Sequence, residues 1–183
     1  MKSKGKFREF ARDIGLRESG GRYDAINKWG FLGKYQFGKA RLTDLGLMKK
    51  VSENGATKFV WTEGLSTQKF LSSPEIQEWT FEESCRRWLV FIQKNFRDYI
   101  GKTVNGVYIT ESGLVAGLHL LGPGGVRRFL EKGYDGTDAL GTKISEYIER
   151  FGGYDLSELL EGKERSYYAY ITQKEESDDN SER

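Results

Sequence analysis

Phe81, Cys85, Trp88, Ile92, Phe96 and Tyr99 recur at intervals of three and four residues, the spacing of one face of an α-helix. Between Trp88 and Ile92 the chain is apolar on every side, so this helix is expected to be the central buried one, with the other elements gathered around it. Ser73-Pro74-Glu75 supplies its start, because proline is tolerated where a helical N–H would be unpaired anyway. With 183 residues, 37% hydrophobic and 31% charged, the chain suits one mainly α domain with enough apolar content for a core.

The other elements read as follows. Phe7, Phe10, Ala11 and Ile14 mark an amphipathic helix over residues 4–17, ended by Gly20-Gly21. A short helix is expected from Gln36 to Leu45-Gly46. Residues 49–73 are polar and glycine-containing, and are expected as loop with short helical pieces, forming one wall or lid of a cleft. Val104-Asn105-Gly106-Val107 signals a two-residue β-hairpin. Thr110 is expected to cap a helix bearing Leu114, Val115, Leu118 and Leu121, broken at Gly122-Pro123-Gly124-Gly125. Thr142 is expected to cap a further helix with Ile144, Tyr147, Ile148 and Phe151, stopped by Gly152-Gly153. Tyr154 to Tyr170 reads as a short helix followed by a tyrosine-rich segment. No repeat or inter-domain linker is visible. The expected organisation is one domain over residues 1–173 with a minor β-hairpin, followed by an acidic disordered tail at 174–183.

Composition narrows the chemistry. Cys85 and His119 are the only residues of their kinds. That excludes an internal disulfide, a thiolate cluster and a multi-histidine metal site, and makes a Ser-His-Asp triad improbable. No cofactor is expected. The net charge of +2 combines −3 over residues 174–183 with +5 elsewhere. A mildly basic body suits an anionic polymer, or solubility alone. Lysine and arginine are evenly spread, which argues against nucleic acid as a partner. No apolar run follows the basic Met1–Lys6 segment, so neither a signal peptide nor membrane insertion is expected. Synthesis in the cytoplasm, with action in the periplasm or cell wall after delivery by other components, is the corresponding expectation.

One stretch concentrates groups that suit sugar chemistry. Glu18 lies four residues past Ile14 and seven past Ala11, so it extends the apolar stripe of its helix. A carboxyl there is partly desolvated, which favours the protonated form a general acid needs. Glycines loosen the backbone after it. Tyr23, Asp24, Asn27, Trp29, Phe31, Tyr35, Gln36 and Phe37 follow within twenty residues. Asn27 and Gln36 each donate and accept, as sugar hydroxyls and acetamido groups require, and both have ordinary roles in turns and caps. Of Tyr23, Trp29, Phe31 and Tyr35, one or two are expected in a groove and the rest in the core.

Glu18-Ser19-Gly20-Gly21, Asn27 and Gly33-Lys34-Tyr35-Gln36-Phe37, followed by Ala116 to Val126 and by Asp138 to Asp155, resemble the motifs of the lysozyme-like soluble lytic transglycosylases, phage- and secretion-associated members included. The resemblance spans roughly residues 5–155. It implies a lysozyme-like fold and cleavage of the β-1,4 bond between N-acetylmuramic acid and N-acetylglucosamine in peptidoglycan. Glu18 would first protonate the glycosidic oxygen. It would then, as a base, draw the 6-hydroxyl of the same muramic acid onto C1 to give a 1,6-anhydro end. Ser19 and His119 are implied as catalytic support, His119 standing where the family usually has tyrosine. The family's neighbouring asparagine is replaced by Leu120. Tyr23, Asn27, Gly33, Tyr35, Gln36 and Tyr147 are implied as substrate-binding residues. The implied partners are glycan strands and phage-tail or secretion-apparatus components. Two alternatives stand beside this. Asp24 could serve as a second carboxylate for hydrolysis by a water, at a carboxyl separation of roughly 6.5–9.5 Å. The chain could also be a non-catalytic glycan-binding module of a phage or secretion particle.

Overall fold

The computed structural model describes residues 3–181, with the side chains of residues 179 and 180 excepted. Its helices are α1 (Phe7–Ser19), α2 (Lys39–Asp44), α3 (Thr67–Leu71), α4 (Pro74–Asn95), α5 (Glu111–Lys132), α6 (Ile144–Arg150) and α7 (Tyr167–Ser181). Two antiparallel hairpins, β1–β2 (Met48–Glu53 and Ala56–Trp61) and β3–β4 (Thr103–Val104 and Val107–Tyr108), and two short 3-10 helices (Arg97–Tyr99 and Ser157–Glu161) accompany them. The architecture is mainly α with minor β. The chain divides into two compact units, residues 1–14 with 85–162, and residues 15–84 with 163–183. The sequence marks no linker at any of these crossings, and α1 and α4 each contribute residues to both units.

In the first unit, Phe10 lies edge-on to Phe151 and Tyr154 at centroid distances of 6.3 and 5.4 Å. Thr110 accepts the Gly113 N–H and caps α5, as the sequence predicts. A Cβ at Gly113 would stand 2.6 Å from the Ile148 carbonyl, so only glycine lets α5 and α6 close at that point. The expected break in α5 is a kink at Gly122, whose φ and ψ are 65° and −175°. The cap of α6 differs from expectation. Lys143, not Thr142, occupies the N-cap position and its side chain makes no capping bond. Asp135 serves instead, accepting the Ser145 N–H at 3.0 Å and its hydroxyl at 2.7 Å. A cap from ten residues upstream has no local sequence signature.

In the second unit, Leu32, Tyr35, Phe37, Leu42, Leu45, Phe70 and Phe81 are buried. Residues 49–61, part of the 49–73 stretch expected as loop with short helical pieces, lie in the β1–β2 hairpin, which starts at Met48 and turns at Asn54-Gly55, both at positive φ. The Asn-Gly pair is the hairpin signal; it is obscured because most of the flanking side chains are exposed, half of them polar, without an apolar alternation. On α4 the most fully buried stretch is also not the apolar one. Trp88, Val90 and Phe91 are half-buried, whereas Gln77, Thr80, Glu83 and Ser84 are buried. These polar groups are matched: Ser84, for example, accepts from Arg41 through both its hydroxyl and its carbonyl, and Glu83 accepts the Arg165 N–H.

The expected disordered tail is helical over residues 174–181, as the end of α7. The helix is fastened near its start. Tyr170 stacks on Trp79 at 4.8 Å and 20°, and Lys174 pairs with Glu75 at 2.6 Å. Residues 182 and 183 lie outside the described residues.

Candidate functional site

Glu18 sits one residue before the end of α1. Phe10, Ala11 and Ile14 are buried and Glu18 is half-buried, so it continues the apolar stripe into a partly solvated position. The next two residues reverse the chain. Gly20 and Gly21 have φ of 68° and 80°, and their amides return to the carbonyls of Leu16 and Gly15. Ser19 ties this helix end to the following loop. Its hydroxyl donates to the Lys34 carbonyl at 2.8 Å and accepts the Arg22 N–H at 3.0 Å.

The loop from Arg22 to Phe37 is held by its own hydrogen bonds. The Asn27 side-chain oxygen accepts the N–H groups of Trp29 and Phe31 at 2.9 and 3.0 Å, so Asn27 is the turn former that its residue type allows. Leu32 and Phe37 exchange two backbone bonds. Gln36 has a φ of 51°, uncommon without glycine, and its side-chain NH₂ donates to the Gly33 carbonyl at 2.9 Å. Gly33 is buried with a φ of 76°. What approaches it closely is Gln77, not an open space for a ligand.

Two consecutive residues of α4 grip this loop. Gln77 is fully buried. Its side-chain oxygen accepts the Lys34 N–H at 2.9 Å, and its NH₂ donates to the carbonyls of Tyr23 and Phe70 at 3.0 and 2.8 Å. Glu78 receives side chains. Its Oε1 accepts from Lys34 Nζ at 2.6 Å and from the Tyr23 hydroxyl at 2.7 Å, and its Oε2 accepts from the Tyr35 hydroxyl at 2.7 Å. Burial alone would raise the Glu78 carboxyl, but these bonds outweigh it and hold the group below the usual carboxylate range. Burial acts to lower Lys34, yet the bond to Glu78 leaves its ammonium above the ordinary lysine value. Burial, followed by the hydrogen bond to Glu78, raises Tyr23. Glu78 is the residue the sequence reading missed. Its partners lie 43 to 55 positions away, and nothing local in the sequence brings them together.

The aromatic residues divide between core and surface. Tyr35 is fully buried and stacks on Phe81 at 3.9 Å and 3°. Its ring is therefore core and not a sugar platform, which corrects the expected substrate-binding role. Tyr23 is half-buried through its bond to Glu78. Trp29 and Phe31 are exposed at 43% and 39%, and these two are available to stack on a ligand. Asp24 is exposed and, with Ile26, Thr67, Gln68, Leu71 and Ser72, lines an open groove of about 470 Å³. Its walls are the turn after α1 and helix α3, and its surface is mostly apolar.

The remaining sequence candidates belong to the other unit. His119 is half-buried on α5. Tyr147 is 2% exposed on α6, its ring edge-on to Phe151 at 4.7 Å. It is a core residue, so the expectation that it binds substrate is also corrected. Among the described residues, no group of three or more His, Cys, Asp or Glu side chains could hold a metal ion. No helix there is long and apolar enough to cross a membrane. No family model, curated protein or solved structure matches this chain.

Proposed function

We propose that the chain cleaves the glycan strand of peptidoglycan, with Glu18 as general acid and then base. What supports this most is the setting of that carboxyl. It is half-buried at the end of an apolar helix stripe, and it is joined through Ser19 to a loop that α4 holds by a set of buried and charge-assisted hydrogen bonds. Acid catalysis on a glycosidic oxygen needs a carboxyl that is sheltered from water and firmly placed. The groove beside Asp24 and the exposed rings of Trp29 and Phe31 are of the kind that sugar faces and acetamido groups contact.

The proposed chemistry balances without a cofactor. The Glu18 proton goes to the glycosidic oxygen as the C1–O bond breaks. The carboxylate then takes the proton of the muramic acid 6-hydroxyl, and that oxygen bonds to C1. A hydrolytic course is the second reading, favoured by the exposure of Asp24 on the groove wall. The proposed partners are glycan strands, with delivery by a phage tail or secretion apparatus. Mass spectrometry of products released from purified cell-wall sacculi tests both courses. Wild type is expected to release 1,6-anhydro ends and Glu18→Gln none; reducing ends would select hydrolysis. Undiminished release by Glu18→Gln would remove Glu18 from the reaction.

A further inference from the structure

We propose that Glu78 is a positioning residue for the proposed glycosidic site: its carboxylate fixes Lys34, and through the Lys34 carbonyl and Ser19 it fixes the carboxyl of Glu18. The proposal rests on the reading of Glu18 as the acid.

Three features carry it. Both oxygens of Glu78 are occupied, and the donors Tyr23, Lys34 and Tyr35 come from the loop that follows Glu18. The gripped part of the loop reaches back to the helix end through Lys34, whose carbonyl accepts the hydroxyl of Ser19, the neighbour of Glu18. The anchor is rigid, since Glu78 lies on a 22-residue helix whose preceding residue, Gln77, holds the Lys34 N–H of the same loop. Side chains that orient a reacting group from such an element control its placement more closely than loop contacts do.

A carboxylate is required, not only a polar group of that shape. Glu78 accepts at both oxygens, one of them facing an ammonium. A glutamine can accept at one end only and presents an NH₂ at the other. Glu78→Gln therefore either turns an NH₂ toward Lys34, or turns it toward Tyr35, whose hydroxyl can then accept from residue 78 but no longer donate to it. In both cases one contact to the loop is lost or reversed, and the negative charge facing Lys34 is gone.

The experiment measures steady-state cleavage of soluble glycan strands, together with melting temperature, for wild type, Glu78→Gln and the double variant Glu78→Gln/Lys34→Met. Glu78→Gln is expected to lower kcat about 10- to 100-fold with KM changed less than about twofold, the pattern of a displaced reacting group. The double variant removes the ammonium left unpaired, so it is expected to regain melting temperature without regaining kcat. Wild-type kcat in Glu78→Gln would overturn the proposal, as would recovery of kcat together with melting temperature in the double variant, because that is the behaviour of a purely structural ion pair. If Glu78→Gln does not fold, the double variant alone decides on the same terms. A wild-type chain that cleaves nothing overturns the glycosidic reading, and the positioning role with it. An active wild type beside undiminished variants overturns the positioning role alone.

Discussion

The side-chain amide of Gln77 fills the space that a Cβ on residue 33 would need. Gln77 is not free to move aside, since it is fully buried and bonded to Lys34, Tyr23 and Phe70. The left-handed backbone at Gly33 adds to the demand for glycine. Gly33→Ala is expected to destabilise the protein by about 3 kcal/mol or more, from backbone strain and from displaced buried hydrogen bonds. Urea denaturation checks this. A loss below about 1 kcal/mol would mean that Gln77 relaxes without breaking its bonds.

The Glu78 cluster gives stability a definite dependence on pH. The folded carboxyl titrates below its usual range. Its contribution is therefore present in full above the unfolded value and is lost as pH falls through the folded one. Lys34 is shifted upward, so its share is present at neutral pH and is lost as pH climbs past the ordinary lysine range. Glu78→Gln is expected to cost about 1 kcal/mol at neutral pH, the scale of a partly solvated charge-assisted bond. That deficit should shrink as pH is lowered from about 5 to about 2. Melting curves of both proteins across that range provide the check, and a deficit independent of pH would detach the carboxylate from the effect.

Much of the fold was legible because its signals are local. Pro74 starts α4, Thr110 caps α5, Asn105-Gly106 turns the β3–β4 hairpin and Gly20-Gly21 ends α1. The half-buried position of Glu18 was legible for the same reason, being the next position of a stripe that Ala11 and Ile14 define. Asn54-Gly55 carried as strong a signal as Asn105-Gly106, but its strands expose most of their side chains and so lack the apolar alternation that marks a half-buried strand. Glu78, Gln77 and Asp135 were not legible, because each acts on residues brought to it only by folding. Tyr35 and Tyr147 show the other limit: an aromatic residue inside a motif has the same sequence signature whether its ring lies in a groove or in the core.

Helix α7 provides a test of its fastening. Tyr170 stacks on Trp79 and donates to Glu75, and Lys174 pairs with the same carboxylate. The Trp79 indole N–H is buried without a hydrogen-bond partner among the described residues. Tyr170→Ala removes the ring that covers this indole and is expected to cost about 1–3 kcal/mol. Lys174→Ala breaks only an exposed ion pair and is expected to cost less than about 1 kcal/mol. Thermal unfolding of the two variants, with acrylamide quenching of tryptophan fluorescence, checks the order. Equal losses would show that the ion pair, and not the stack, fastens the helix.

The cap of α6 separates local from distant sequence control. Asp135 accepts both the Ser145 N–H and its hydroxyl, while the Lys143 side chain at the N-cap makes no such bond. Asp135→Ala is expected to cost about 1 kcal/mol, as the loss of a helix cap does. Thr142→Ala is expected to cost less than Asp135→Ala, because Thr142 lies one residue outside the N-cap of α6 and its main chain bonds Asp138 in both directions, its N–H donating to the Asp138 carboxylate and its carbonyl accepting the Asp138 N–H. Thermal denaturation of both variants checks the pair, and a larger loss at Thr142 would return the capping role to the residue that sequence alone suggests.

Within the proposed glycan cleavage, the choice between anhydro-forming and hydrolytic courses turns on Asp24. In the anhydro course Glu18 alone handles the proton and the substrate supplies the attacking hydroxyl, so Asp24 contributes only as part of the groove wall. Asp24→Asn is then expected to retain kcat within about threefold, with 1,6-anhydro ends unchanged, because an exposed side chain is replaced by one of the same shape. In the hydrolytic course the same change removes the base that activates water. It would lower kcat by about 100-fold or more, the usual share of a general base, while Glu18→Gln is expected to abolish turnover in both courses. Measuring kcat and the chemical nature of the product ends on the same samples distinguishes them. A large loss in Asp24→Asn accompanied by reducing ends in wild type would assign the second carboxylate and replace the anhydro course.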